Sequence, residues 1–391
     1  MKPTPGASIF VTVGFLAVIF SAGLTQVVVE ARRGEWPQAF TLLTQKPTVA
    51  NLRAYEQNLE ETSVVAKYLR SWAQYAQFAW LHDGGEKALV GREGWLFYKP
   101  GVQCLTDRPR AQKTTSTAAE AVRAIVDFRN QLAARGIRLV VAPAPNKESV
   151  YPEKLTRRAA HLRRARGVES QAMLDGLKAA NVEVVDLFEV FAEAKAALPA
   201  SSPPLYLAQD SHWSPAGLEL AAQTVALRIL MRGWIKPGSV AYELRPSPVE
   251  RVGDILRMLQ VPRLERTFVP EIIPCVQIVR RETGQPYQDD VHADILVLGD
   301  SFLRIYEKDE PGAAGFIAHL AKELKQPVAS IVNDGGASTL VRQELFRRPA
   351  LLKDKKLVIW EFVERDVRLG TEGWQRVPLP PINPATADRS P

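Results

Sequence analysis

Residues 294–302 read DILVLGDSF, four apolar residues from Ile295 to Leu298 held between an aspartate and a glycine, then a turn carrying Asp300, Ser301 and Phe302. A run this short, with β-branched members, reads as a buried strand. Gly299 suits a tight turn at its end. A serine there, entering a helix, presents its hydroxyl at the carboxyl edge of a parallel sheet, where α/β folds open their ligand crevice. The same alternation returns on both sides. Downstream come a helix including Gly315 to Leu324, a strand Val328 to Val332, a helix near Leu340 to Phe346 and a strand Lys356 to Phe362. Upstream, a helix Thr117 to Ala134 stops at Gly136 before a strand Ile137 to Ala142. A basic helical stretch from about Arg163 to Ala180 then precedes a strand Val182 to Leu187 and a helix Phe188 to Ala197. Beyond a proline-rich break at 198–206, Ser214 caps a helix with Pro215 at its first position, running to about Met231. Residues 232–290, irregular and rich in proline and arginine, read as an insertion with short strands. Strands alternating with helices predict an α/β fold with a mostly parallel, covered sheet.

The chain has 391 residues, 46% hydrophobic and 24% charged, with a net charge of +7. That composition excludes a disordered or fibrous bulk and allows two domains or one large one. So small an excess of charge, without a zinc-finger or basic-zipper pattern, predicts no nucleic-acid partner.

Ile9 to Val29 is a run of 21 residues without a charge, about 31 Å of helix, which matches one hydrocarbon core. It exceeds the apolar stretch of a signal peptide, so an uncleaved anchor at 1–30 is favoured over a cleaved leader. Residues 31–90 read as a helical connecting region, in which Val49 to Leu59 and Val64 to Leu81 are helices. The aromatic residues of the second, Tyr68, Trp72, Tyr75, Phe78 and Trp80, read as a packing stripe. The body is placed at 91–370 and a proline-rich, disordered tail at 371–391.

Cys104 and Cys275 are the two cysteines. They exclude a zinc site of several thiolates, and leave one disulfide or two buried thiols open. Of the five histidines, His212 stands apart: it lies in AQDSHWSPAG, with Asp210 two residues before it. In an extended segment both side chains face one side. A nucleophilic serine needs such a base, and the base an orienting carboxylate.

DSHW at 210–213 and GDSF at 299–302, together with GREGWLFY at 91–98, PNKESVYPEKL at 145–155 and VIWEFVERDVR at 358–368, resemble the AlgJ and AlgX alginate O-acetylation family over about residues 90–370. The resemblance implies an SGNH-hydrolase-like, permuted three-layer fold behind an N-terminal transmembrane helix, and a triad of Asp210, His212 and Ser301 without metal or cofactor. It also implies a periplasmic domain on a single-pass inner-membrane anchor, an MBOAT-type membrane O-acyltransferase as acetyl donor and an exopolysaccharide acceptor, not necessarily alginate. The chemistry expected is acyl transfer through an acetyl-serine. A carbohydrate esterase using water and a non-catalytic scaffold are the alternatives. Oxyanion-hole candidates are the Ser301 N–H, with Asn333 and Gly335 from VNDGG as weaker ones. Arg365, with Glu361 and Glu364 at the end of an inner strand, is a substrate-binding candidate as much as part of an ion pair. The basic cluster Lys154, Arg157, Arg158, Arg163, Arg164 and Arg166 reads as a solvated face or an acidic-polymer contact.

Overall fold

The structure is a computed structural model that describes residues 5–46, 48–106, 117–199, 201–259, 261–334, 336–369 and 373–380. The chain divides into two compact units, Met1–His82 with Gln260–Leu264, and Asp83–Leu259 with Glu265–Pro391.

The first unit is helical. Helix Pro5–Arg32 contains a stretch, Val11–Arg32, long and apolar enough to cross a membrane. Helices Val49–Thr62 and Val64–Leu81 follow, capped by Thr48 and Ser63, whose hydroxyls accept the N–H groups of Asn51 and Ala66. No residue of helix Val64–Leu81 is buried. The expected aromatic packing stripe is split: Tyr75 and Phe78 are half-buried, whereas Tyr68 and Trp80 are 69% and 79% exposed.

In the second unit, five parallel strands form the central sheet: β1 Arg138–Ala144, β2 Glu183–Val184, β3 Ile295–Gly299, β4 Ala329–Val332 and β5 Leu357–Val363, in the order β4-β3-β5-β1-β2. Alternate side chains point to opposite faces, so each face has its own core. Leu296, Leu298, Val358 and Trp360 pack under helices Thr117–Ala133, Val168–Ala179 and Leu340–Arg347. Ile295, Val297, Leu357 and Ile359 pack under Leu187–Ala197, Pro215–Met231 and Phe316–Leu324. The result is the parallel, covered α/β sheet expected from the alternating apolar runs, in the three layers that the resemblance implies.

Three local expectations change. Residues 163–166 are not helical. Gly167 caps helix Val168–Ala179, and the segment before it is held extended by Arg164–Glu189 (2.7 Å) and Arg166–Asp186 (2.9 Å). With Lys154 also paired to Glu93, half of the basic cluster is neutralised. The strand expected at 182–187 is two residues long, because the Asp186 carboxylate caps the next helix, accepting Phe188 N–H at 3.1 Å. The three-stranded antiparallel sheet Asp83–Gly84, Ala88–Val90 and Leu96–Tyr98 begins before the expected start of the body at 91. Cys104 and Cys275 are buried free thiols, their pKa values pushed up to about 12 by burial, which settles the open choice against a disulfide. Residues 232–290 do hold short strands, Tyr242–Pro246 with Val276–Arg280 and Val249–Arg251 with Glu271–Ile273.

Candidate active site

The nucleophile candidate is placed by the end of β3. A Cβ on Gly299 would fall 2.4 Å from Leu303 Cδ1 and 2.5 Å from Glu361 Oε2, so any larger residue here would displace both side chains from the turn. Asp300 then fixes the turn at both ends. Its Oδ1 accepts Phe302 N–H at 2.9 Å, and its Oδ2 accepts Val363 N–H at 3.1 Å from the end of β5. Ser301 opens helix Ser301–Arg304, where the first N–H groups have no intrahelical partner.

His212 and Asp210 come from a loop ahead of helix Pro215–Met231, with Ser214 as its cap. Trp213 is fully buried and donates Nε1–H to Phe302 O at 3.1 Å, so the histidine segment is bonded directly to the serine segment. His212 Nε2 lies 2.8 Å from Ser301 Oγ, and Nδ1 lies 2.7 Å from Asp210 Oδ1. The three residues named from the sequence thus meet in one hydrogen-bonded relay. Burial alone would push the His212 pKa down, but the Asp210 carboxylate, its hydrogen bond and the nearby Asp254 more than offset this and hold it above its ordinary value. Asp210, although wholly buried, is held well below the usual carboxylate range by His212 and Arg251.

Two partners of the relay were not legible in the sequence. Arg251 donates Nε–H to Asp210 Oδ2 at 3.0 Å, and Asp254 N–H reaches the same oxygen at 3.1 Å. The Asp254 carboxylate accepts the Ser211 N–H and hydroxyl, each at 2.6 Å, and lies 3.6 Å from His212 Nδ1. The loop sits so close that a Cβ on Gly253 would be 2.0 Å from Gln209 O. Oxygens of Asp210 and Asp254 and a nitrogen of His212 lie within 4.8 Å of one another, the spacing of a metal site. The carboxylate oxygens instead accept from Arg251, from the Ser211 N–H and hydroxyl and from His212 Nδ1–H, and the Arg251 guanidinium opposes a cation there.

Lys147, from the PNKES segment, supports the loop from beneath. It is 2% exposed, and its ammonium donates to the carbonyls of Leu207 (3.1 Å), Ala208 (3.1 Å) and Asp210 (2.7 Å) while lying over the Phe97 ring at 5.1 Å. Burial pushes its pKa down to about 8. Three motifs quoted separately from the sequence therefore form one buried cluster.

The end of β5 divides its charges between roles. Glu364 is buried and accepts Asn146 N–H at 3.0 Å and Ser170 O–H at 2.9 Å, a structural anchor. Glu361 accepts Asp300 N–H at 3.3 Å beneath the turn. Arg365 instead lines a cleft of about 680 Å³ together with Tyr98, His212, Arg251, Arg257 and Ser301. Its guanidinium lies over the Phe302 and Tyr98 rings at 5.7 and 5.4 Å. Asn333 turns its donors elsewhere: its N–H to Gly299 O at 3.0 Å, its amide to Glu344 at 3.4 Å. Gly335 lies outside the described residues.

A model of the SGNH hydrolase-like domain of acetyltransferase AlgX matches residues 88–364. The chain is 25% identical over 331 residues to the "Probable alginate O-acetylase AlgJ" of Pseudomonas aeruginosa, covering 77% of this chain and 75% of that one. Its fold is similar to the O-acetyltransferase domain of Pseudomonas putida AlgJ (TM-score 0.57, 22% identity, 72% of this chain and 92% of that chain). It is also similar to Pseudomonas aeruginosa AlgX (TM-score 0.50, 18% identity, 71% and 61%). With its match extending over more than half of its length, the chain belongs to the AlgX family of SGNH hydrolase-like acetyltransferase domains.

Proposed function

We propose that the chain is an O-acetyltransferase that moves acetyl groups onto the hydroxyls of an exopolysaccharide through an acetyl-serine at Ser301. The observation that carries this reading is the continuous run of short hydrogen bonds from Ser301 Oγ through His212 to Asp210, open to a cleft at the carboxyl ends of β3 and β5. The alginate O-acetylase relatives support a polysaccharide as acceptor.

His212 Nε2 takes the Ser301 proton as Oγ attacks the acetyl carbonyl. The oxygen of that carbonyl becomes an oxyanion, and the Ser301 N–H is its first donor; one such donor is worth about 2.7 to 4 kcal/mol of transition-state stabilisation. Collapse breaks the bond to the leaving group, which takes the proton from His212. A sugar hydroxyl then gives its proton to His212 and attacks the acetyl-serine, and the proton passes back to Oγ as Ser301 leaves. Asp210, fixed by Arg251 and Asp254 N–H, holds the Nδ1–H tautomer and stabilises the imidazolium at each stage. Arg365 is assigned to the bound acceptor or donor, since its charge faces the cleft.

Helix Val11–Arg32 supports a single-pass membrane anchor; the membrane is assigned as the inner one and the catalytic body to the periplasm. No acetyl-CoA pool exists there, so the donor is assigned to a membrane O-acyltransferase of the MBOAT type. The test uses the purified chain in detergent with an activated acetyl ester and acidic or neutral oligosaccharides, for the native protein and Ser301→Ala. Acetylated sugar formed only with Ser301 present, and a mass increase of one acetyl group on the Ser301 peptide, is the expected result. Acetyl released solely to water overturns the transferase in favour of an esterase. Equal activity in both proteins overturns the catalytic reading.

A further inference from the structure

The chemistry above leaves the aromatic helix of the first unit without a role. Laid out at 3.6 residues per turn, helix Val64–Leu81 turns Ser71, Gln74, Tyr75 and Phe78 to one half-buried side. Its outward side carries Tyr68, Leu69, Trp72, Ala73, Ala79 and Trp80, flanked by Arg70 and Gln77. Leu69 and Trp72 are 64% and 55% exposed. Arg263 of the same unit lies over the Trp72 and Tyr75 rings at 4.6 and 4.8 Å and still leaves the indole half open. The only charged residues in the helix are Lys67 and Arg70, both basic.

The helix is also tied at a defined depth to the apolar N-terminal helix. Gln26, near the end of the uncharged run, is 6% exposed there. Its side-chain oxygen accepts Val64 N–H at 2.9 Å, and its nitrogen donates to Glu30 at 2.8 Å and reaches Thr62 O at 3.5 Å. Glu30 in turn accepts Gln38 N–H at 2.9 Å. These bonds fix the corner where helix Val64–Leu81 begins at the level where the apolar run gives way to Glu30, Arg32 and Arg33. A helix starting at that level with Trp and Tyr outward and only cations at its flank has the composition of an interfacial segment, in which rings sit at headgroup depth and Lys or Arg meet lipid phosphates.

We infer that helix Val64–Leu81 lies in the headgroup region of the bilayer crossed by the N-terminal helix, with Leu69, Trp72 and Trp80 against the acyl-chain boundary and Arg70, at the edge of that face, toward anionic phosphates. The inference rests on the anchor reading above. The first unit is then held to the membrane at two places, by the N-terminal helix and by helix Val64–Leu81.

Nitroxide labels on the full chain test this, after reconstitution in vesicles of equal parts phosphatidylethanolamine and phosphatidylglycerol. The labels go on Leu69→Cys, Ala79→Cys, Gln77→Cys and Val18→Cys in a Cys104→Ala, Cys275→Ala background. Collision rates with oxygen, which concentrates in lipid, are compared with those of a water-soluble nickel chelate. The expected oxygen-to-nickel ratio is highest at Val18, and at Leu69 and Ala79 is several-fold above that at Gln77. Leu69 and Ala79 both reading water while Val18 reads lipid overturns the inference and leaves the anchor standing. Val18 reading water overturns the anchor, and the inference with it. Spin–spin broadening at Leu69 that vanishes on dilution with unlabelled chain shows a second copy on this face and overturns the lipid assignment.

Discussion

Gly253→Ala tests whether the loop behind Asp210 sets the reactivity of His212. At this residue φ is −63°, a conformation that alanine adopts freely, so the effect of the added methyl is steric alone. The new Cβ would stand 2.0 Å from Gln209 O and 2.7 Å from Asp210 N. The backbones must part by about 1.4 Å to reach the 3.4 Å of ordinary contact. Hydrogen bonds of 3.0 Å from Arg251 and 3.1 Å from Asp254 N–H to Asp210 Oδ2 do not survive such a shift. Hydrogen bonds to charged groups are worth about 1.5 to 3 kcal/mol each, and a catalytic group displaced by about 1 Å loses on the order of a hundredfold in rate. The expected result is a fall in kcat of roughly a hundredfold with KM for a small acetyl ester little changed, since the cleft on the Arg365 side is untouched. Burst kinetics with a chromogenic ester measure the acylation step directly, and circular dichroism checks the fold. A variant that keeps within about threefold of native acylation while a structure shows the loop displaced refutes the argument that these bonds hold Asp210 in its working position.

Two further predictions follow from the charges. His212 must be neutral to act as base, and its pKa is held above the ordinary value, so kcat/KM falls on the acid side of a limb above pH 6.5; Asp254→Asn removes a carboxylate that favours the imidazolium and moves that limb to lower pH, as a pH–rate profile would show. Lys147→Met leaves the buried carbonyls of Leu207 and Asp210 without their donor, while Ala208 O keeps the Leu96 N–H; at about 1 to 3 kcal/mol for each buried group, offset by relief of the buried charge, a loss of about 2 kcal/mol is expected in urea unfolding. An unchanged urea midpoint would show that the ammonium does not support the DSHW loop.

Much of the fold was legible because parallel strands covered on both faces leave short, continuous apolar runs, as in Ile295–Leu298 and Leu357–Trp360, which stand out between helical periods. The Ser214–Pro215 start of a helix was legible for a similar reason, since its signal is local. What escaped was fixed by distant contacts. Nothing near Arg251 or Asp254 signals a role, because their partner Asp210 lies more than forty residues away, beyond a helix and an irregular segment. The PNKES segment stood out as a motif, but a lysine whose partners are three backbone carbonyls leaves no trace in side-chain patterns. The helix expected from about Arg163 begins only at Val168, because Arg164 and Arg166 bond to carboxylates at the start of a neighbouring helix. The aromatic spacing of residues 64–81 predicted a helix correctly and its burial wrongly, since spacing records periodicity and not what the face meets.

The position of β3 bears on biosynthesis. It lies between β4 and β5, both of which follow it in the chain, and the Asp300 carboxylate that shapes the serine turn is completed by an N–H from Val363. A nascent chain that has emerged through Ser301 already contains every member of the relay but lacks both neighbouring strands of its central sheet. The serine turn is therefore completed only after translation has passed residue 363, and on the proposed mechanism an unfinished chain would lack its nucleophile in working position.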